Sequence, residues 1–121
     1  MLFRSTTFAY PYGDVAAGPK AALASRYSLL RALHHGLIEA GADLNQAPSV
    51  GLEGPEGERQ VMAWLQKAVQ RGSWLILTSH DVSPQPSRWG CTPDALSRVL
   101  DQALALGFQI ITAAEGARQV A

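Results

Sequence analysis

One apolar run constrains the fold of this chain more than any other feature of its sequence. Residues 74–78 read Trp-Leu-Ile-Leu-Thr, without alternation between apolar and polar side chains. A strand of this composition is typical of a parallel sheet that helices cover on both faces. The run ends abruptly in Ser79, His80 and Asp81. It therefore predicts a buried strand whose carboxyl end carries polar groups.

Helical patterns alternate with short apolar segments along the rest of the chain, as in βαβ units. Thr92 and Pro93 form the clearest helix start, and Gly72 is a plausible helix stop. We therefore expect one α/β domain over residues 1–121, with mostly parallel strands and flanking helices. The predicted strands cover residues 6–10, 27–33, 74–78 and 108–112, with a short one near Leu44, and the predicted helices cover residues 19–24, 58–71, 93–106 and 113–120.

Composition and charge exclude several classes of function. Ten basic residues balance ten acidic ones, so neither nucleic acid nor an anionic membrane is an expected partner. Cys91 is the single cysteine, which excludes a disulfide framework and a cysteine-based structural zinc site. No apolar run approaches the length of a membrane span, and the first residues do not resemble a signal peptide. The chain as written is therefore expected in the cytoplasm.

His80 is the first candidate for chemistry, because functional residues of parallel α/β folds gather at the carboxyl ends of strands. Its imidazole titrates near neutral pH, and the carboxylate of Asp81 is placed in sequence to orient it. The alternative is a histidine that only caps its strand by hydrogen bonding. A nucleophile pair of Ser79 and His80 lacks the Gly-x-Ser-x-Gly elbow that such pairs use.

A turn at Tyr12 and Gly13 follows the first predicted strand, at the position equivalent to that of His80. Backbone N–H groups that a turn holds in place are a common way to stabilise an oxyanion. The alternative is an ordinary turn made by proline and glycine. Both interpretations stay open at the level of the residues.

The remaining polar candidates have simpler explanations. His34 and His35 are adjacent, so in a strand they point to opposite faces and are poor partners for one metal ion. Cys91 precedes a helix start, which favours a thiolate, but no base stands beside it and packing is the expected role. Arg31 and Asp43 are expected to be solvated surface groups.

The two strand-end motifs, with their order and spacing, resemble those of the polysaccharide deacetylase family, carbohydrate esterase family 4. Residues 8–13, Phe-Ala-Tyr-Pro-Tyr-Gly, look like the family's third motif. Residues 74–82 look like its last motif, a hydrophobic strand that ends in histidine. Residues 43–45 and 86–93 are similar to one branch of the family, so the resemblance covers nearly the whole chain.

The resemblance implies part of a distorted (β/α) barrel, and a metal-dependent hydrolysis of N- or O-acetyl groups on a sugar or polysaccharide. It implies that His80 is the general acid that protonates the leaving group. It implies that the backbone N–H of Tyr12 belongs to the oxyanion site. It also implies that Leu77, Thr78 and Asp81 contact the substrate.

Two motifs of the family are absent from this sequence: an Asp-Asp pair after a strand and two histidines spaced along a helix turn. They supply the catalytic base and the ligands of a divalent metal, zinc by expectation, so we predict no metal site and no cofactor within this chain. Ala9 also stands where the family often has arginine. A metal hydrolase uses its metal to generate hydroxide at neutral pH, whereas general acid catalysis alone contributes about 10²–10⁴-fold.

We therefore expect this chain to be inactive, or nearly so, by itself. The alternative is a non-catalytic carbohydrate-binding or assembly module derived from the same fold. A third interpretation is an unrelated small α/β domain in which His80 only caps a strand.

Half of a barrel leaves strand edges and apolar faces uncovered. We therefore predict that the chain associates with itself or pairs with a separate N-terminal segment. Light scattering at micromolar concentration measures this directly. It should report a species larger than one chain, and a purely monomeric species would contradict the expectation.

Overall fold

The computed structural model describes residues 5–120 of the chain, and it has the mixed α/β class that the sequence predicts. Short parallel strands are connected by helices and turns, and the described strands do not close into a barrel. The strands are β1 (Thr7–Ala9), β2 (Leu29–Arg31), β3 (Val50–Gly51) and β4 (Leu77–Thr78). The α-helices are α1 (Ala17–Ala24), α2 (Gly57–Arg71), α3 (Pro93–Ala105) and α4 (Ala113–Val120), with 3-10 helices at Pro11–Gly13 and Leu44–Gln46.

The strands form two parallel pairs. β1 lies beside β2 with Ala9 opposite Arg31, and β3 lies beside β4 with Gly51 opposite Thr78. α1 connects the first pair and α2 connects the second. Parallel neighbours need such a crossover, because a tight turn can join only antiparallel strands.

One bridge joins the two pairs into a single array of four parallel segments. The chain just before β3 lies beside β2, where Arg31 pairs with Ala47 in parallel. The N–H of Ala32 donates to the carbonyl of Ala47, and the N–H of Ala47 donates to the carbonyl of Leu30, both at 2.8 Å. All four segments run in one direction, so their carboxyl ends meet at one edge. We call this the carboxyl edge; it carries residues 10–13, 32–35, 52–54 and 79–81.

Side chains alternate between the two faces of this array, as the pleat of a strand requires. One face packs against α1, α2 and α3 and contains the larger core cluster, made of Val50, Leu52, Val61, Leu65, Cys91, Ala95, Val99 and Ala103. The opposite face carries Ala9, Arg31, Ala47, Gly51 and Thr78, and we call it the inner face. α4 covers part of the inner face, where Ala117 packs with Leu29, Ile38 and Ala47.

Two helix boundaries confirm the sequence signals. The Oγ1 atom of Thr92 accepts a hydrogen bond from the N–H of Ala95 at 3.1 Å, and Pro93 is the first residue of α3. A cap of this kind typically stabilises a helix by about 1 kcal/mol. α2 ends at Gly72, whose φ of 61° is the left-handed conformation that glycine adopts at a helix C-terminus.

The prediction of a last strand over residues 108–112 is wrong for this structure. No described segment pairs with these residues, and Ile110 is 53% exposed. The run at residues 74–78 is consequently not buried on both sides. Only Leu77–Thr78 is in a strand, and a hollow lined by Trp74, Phe108 and Ile110 lies beside it.

Two smaller predictions also fail. Leu44 lies in a 3-10 helix rather than a strand, because the carboxylate of Asp43 accepts the N–H of Asn45 at 2.9 Å and starts a turn. Val50 and Gly51, which lie outside all the predicted strands, form β3. β3 has two residues, which is too few for a hydrophobic period to appear in the sequence.

Candidate functional site

The carboxyl edge brings the two strand-end motifs to one side of the molecule. The turn at Tyr12 follows β1 and His80 follows β4, with the ends of β2 and β3 between them. Three strand spacings correspond to about 14 Å. The motifs therefore share an edge but do not touch. Two surface hollows, one beside β4 and one beside the start of α3, are lined by neither residue.

Tyr12 has a strained backbone and a fully displayed side chain. Its φ of 55° and ψ of 16° are left-handed, which is uncommon for any residue other than glycine, asparagine or aspartate. The side chain is 98% exposed. Strain of this kind costs about 1–3 kcal/mol and tends to persist at functional sites. The turn therefore presents the backbone and ring of Tyr12 outward.

Neighbouring contacts hold this turn in place. Gly13 has a φ of 67°, and a Cβ atom there would lie 2.6 Å from the side chain of Leu33. The N–H of Gly13 donates to the carbonyl of Tyr10 at 2.9 Å. The ring of Tyr10 is buried, and its hydroxyl donates to the carbonyl of Asn45 at 2.8 Å. The turn is thus anchored on β2 and on the segment that leads to β3.

His80 is exposed, and its backbone N–H donates to the carbonyl of Trp89 at 3.2 Å. Ser79, just before it, faces the helix-covered side, where its hydroxyl donates to the carbonyl of Leu52 at 2.8 Å. Thr78, paired with Gly51, lies on the inner face, and His80 follows in a bend beyond β4 with its side chain exposed. Leu77 has the opposite orientation and packs with the cluster beneath α2 and α3.

Asp81 binds a neighbouring loop rather than His80. Its carboxylate accepts the backbone N–H of Ser87 at 2.6 Å and the hydroxyl of Ser87 at 2.5 Å. These bonds, the hydroxyl bond first, hold the pKa of Asp81 below its usual range. Gly90 allows the arrangement, because a Cβ atom there would overlap the carbonyl and carboxylate of Asp81. Asp81 therefore shapes the loop over residues 82–90.

That loop carries an exposed aromatic residue, Trp89, whose carbonyl accepts the backbone N–H of His80. Trp89 is 48% exposed, and the guanidinium of Arg88 lies 4.4 Å from the centre of its indole ring. A cation over an aromatic face is an attractive contact that restrains both side chains. Two aromatic residues are thus exposed, Tyr12 on the carboxyl edge and Trp89 in the loop that follows β4.

The other polar candidates have local roles. His34 and His35 are exposed, and Nδ1 of His35 lies 3.2 Å from the amide nitrogen of Gln60. Cys91 is 5% exposed within the core, as expected of a packing residue. Asp43 accepts a hydrogen bond from Nζ of Lys20 in α1 at 2.6 Å, in addition to capping its own turn. The bonds to Lys20 and Asn45 lower the pKa of Asp43.

No three His, Cys, Asp or Glu side chains within residues 5–120 lie close enough to hold one metal ion. The described residues therefore do not fit the metal that the resemblance implies. We derive no chemical step through a metal.

Sequence reasoning gave no functional role to two charged groups of the inner face. Arg31 lies between Ala9 and Ala47 in the register of the array. Glu53 folds back over β3, since a Cβ atom on Gly51 would lie 2.9 Å from its carboxyl carbon. The sequence signal for Arg31 was a charged residue inside an apolar strand. Glu53 had no signal, because β3 itself was not recognised.

Comparison with known proteins finds no relative of this chain. No family model, no curated protein and no solved structure matches it. The likeness to polysaccharide deacetylases therefore rests on the motifs alone.

The bonds to Asp81 generate a prediction about acid pH. Because the folded-state pKa of Asp81 is lowered, its carboxylate stabilises the loop above the ordinary aspartate pKa of about 3.9, and this stabilisation is lost as pH falls through the lower folded-state value. The NMR shift of the Ser87 amide proton should therefore follow this titration between pH 7 and about 2. Asp81→Asn should abolish the dependence.

The matched control is Asp101→Asn, which removes an exposed carboxylate from α3. It should leave the titration of the Ser87 amide unchanged. If the Ser87 amide titrates identically in the wild type and in Asp81→Asn, the result would contradict the assignment of this titration to the hydrogen bonds between Asp81 and Ser87.

Proposed function

We propose that this chain binds acetylated sugars at the carboxyl edge and supplies the proton donor and an oxyanion donor of a deacetylase-type site. The supporting observation is the position of the two motifs that carry the resemblance. The turn at Tyr12 and the residues around His80 each follow the carboxyl end of a parallel segment, and both lie at one edge of the array. In this proposal the array is part of a distorted (β/α) barrel of the polysaccharide deacetylase type.

His80 is the general acid in this proposal. Its imidazolium form protonates the leaving amine or alkoxide as the acetyl group departs. Its exposure at the edge supports the role, since a buried and fully bonded imidazole could not reach a substrate. Thr78 lies on the inner face two residues before His80 and is the substrate contact with the best support.

The backbone N–H of Tyr12 is the oxyanion donor. It stabilises the negative charge that develops on the acetyl oxygen when the carbonyl is attacked. The strained, anchored turn supports this role, because a donor held in place does not need to reorganise during the reaction. Both donors must contact the same acetyl group, so the imidazole of His80 has to reach across much of the roughly 14 Å that separates the two strand ends.

Leu77 and Asp81 receive weaker support as substrate contacts. Leu77 faces the helix-covered side, and the carboxylate of Asp81 is engaged by Ser87. Asp81 enters the proposal through the loop that it holds, because that loop carries Trp89. Their direct contact with the sugar stays a prediction of the resemblance.

The proposal assigns the generation of hydroxide to residues outside this sequence. The sequence contains His80 and Tyr12 but neither the Asp-Asp pair nor the paired histidines of the family. The chain alone therefore binds the sugar without hydrolysing it at enzyme-like rates.

A second candidate is a non-catalytic carbohydrate-binding module. The observation in its favour is the exposure of two aromatic residues, Tyr12 on the carboxyl edge and Trp89 in the loop that follows β4. Flat aromatic rings offer apolar faces with a polar tip, which suits the C–H face of a pyranose. Both candidates bind sugar, and they differ only in whether His80 takes part in hydrolysis.

The cytoplasmic location expected from the sequence belongs to the proposal as well. Within residues 5–120, no α-helix combines the length and apolar composition needed to cross a bilayer.

Calorimetric titration tests the binding. Tetra-N-acetylchitotetraose should bind more tightly than cellotetraose, which has the same backbone linkage without acetamide groups. Trp89→Ala should weaken binding of the acetylated sugar by about 10-fold, the expected loss for one aromatic contact. Leu104→Ala, which removes an exposed apolar group from α3, should leave it unchanged. No binding of either sugar would contradict both candidate functions.

Acetate release separates the two candidates. With zinc present, the chain alone should release no acetate at enzyme-like rates. Adding a polypeptide that carries the Asp-Asp and paired-histidine motifs should restore turnover if the chain is part of a deacetylase, and His80→Ala should then abolish it. Turnover that survives His80→Ala would exclude the general-acid role, and enzyme-like turnover by the chain alone would contradict the assignment of hydroxide generation elsewhere.

A further inference from the structure

We propose that Arg31 forms an anion-binding site on the inner face, and that this site takes the carboxylate of an acidic acetylated sugar. The inference rests on the proposed sugar binding and narrows its substrate class. It starts from an arginine that the fold places in an unusual position, in the middle of a parallel array.

The neighbours of Arg31 leave room beside its side chain. It is the last residue of β2, with Ala9 opposite on one side and Ala47 opposite on the other. Both neighbours are the smallest side chains after glycine, and paired residues project to the same face. Ala47 is fully buried against Ala117 of α4, whereas Ala9 is exposed, so a ligand group can approach the guanidinium from the Ala9 side of the inner face.

The guanidinium has no acidic partner in the described part of the chain. The ion pairs there are Lys20 with Asp43, Arg59 with Glu56, Arg71 with Glu39 and Arg98 with Glu58. Arg31 makes one hydrogen bond, from Nη1 to the carbonyl of Ala32 at a long 3.5 Å. Partial burial lowers the pKa of Arg31. Arg98 differs, because a hydrogen bond between Arg98 and Glu58 raises the pKa of Arg98.

A bound anion would supply the negative partner that the Arg31 guanidinium lacks. Moving a charge out of water costs free energy that a partner charge offsets. Guanidinium has five N–H donors in a planar fork, and the fork matches the two oxygens of a carboxylate. Most of these donors have no acceptor among residues 5–120. The chemistry of the site is therefore that of a planar, bidentate anion.

The direction of the side chain connects this site with the carboxyl edge. The carbonyl of Ala32, which Nη1 approaches, also accepts the hydroxyl of Ser49 at 2.7 Å. Ala32 lies one residue closer to the carboxyl edge than Arg31, so the guanidinium turns towards that edge. A sugar lying between Tyr12 and His80 would extend its acidic group towards Arg31.

Two oligosaccharides of equal length test the inference by calorimetry. A hyaluronan tetrasaccharide carries acetamide and carboxylate groups, and tetra-N-acetylchitotetraose carries acetamide groups alone. The wild type should bind the acidic sugar about 10-fold more tightly, as expected for a charge-assisted bidentate contact. Arg31→Gln should abolish this preference without changing the affinity for the neutral sugar. Arg31→Lys should keep only part of it, because lysine preserves the charge but not the fork.

The control is Arg26→Gln, which removes the same charge from an exposed arginine just before β2. It should retain the preference for the acidic sugar, and circular dichroism should show that every variant is folded. A preference that survives Arg31→Gln would overturn the inference, and so would equal binding of the two sugars by the wild type. In the latter case the proposed sugar binding would still stand.

Small anions separate failure of the site from failure of sugar binding. Glucuronate should shift the Nε–Hε NMR signal of Arg31 and leave that of Arg26 in place. If neither oligosaccharide binds but glucuronate still shifts this signal, the anion site stands and the proposed function fails. Inorganic phosphate binding more tightly than glucuronate would overturn the carboxylate assignment, and no shift with any anion would overturn the site.

Discussion

The pairing of Ala47 with β2 is the contact on which the rest of the structure depends. Two backbone hydrogen bonds of 2.8 Å, one with Ala32 and one with Leu30, join the two short strand pairs into one array, and a third of 3.0 Å runs from the N–H of Ser49 to the carbonyl of His34. Ala47 and Leu30 are fully buried, so water does not compete for these bonds. These bonds help to set the position of β1 and its turn at Tyr12 relative to β4 and His80.

The polar groups on the two faces of this array differ in whether other residues of the chain bind them. On the helix-covered face they are satisfied within the chain, as the bond from Ser79 to Leu52 shows. On the inner face, Arg31 forms no ion pair with any of residues 5–120. Internal bonds maintain a core, whereas groups left without them are available to a ligand. In the proposed function, this difference makes the inner face near the carboxyl edge the sugar-binding surface.

Sequence signals that act within one turn predicted helix boundaries correctly. The strands and the partners of the polar side chains depend on pairing between distant segments, which the sequence alone does not show. Thr92 started α3 as expected, because a cap depends on residues within one turn. Residues 108–112 have the composition of a strand but no neighbour, and composition cannot reveal whether a partner strand is present. Asp81 follows His80 in sequence, yet Ser87 binds it through a loop that sequence spacing does not describe. Arg31 became informative only through its register between two alanines.

Through-hydrogen-bond NMR couplings test the central claim that the four segments form one array. In the isotopically labelled chain, cross-peaks should join the nitrogen of Ala47 to the carbonyl carbon of Leu30, and the nitrogen of Ala32 to the carbonyl carbon of Ala47. If such cross-peaks appear within α2 but both of these are missing, the two strand pairs are separate units. Tyr12 and His80 would then not share an edge.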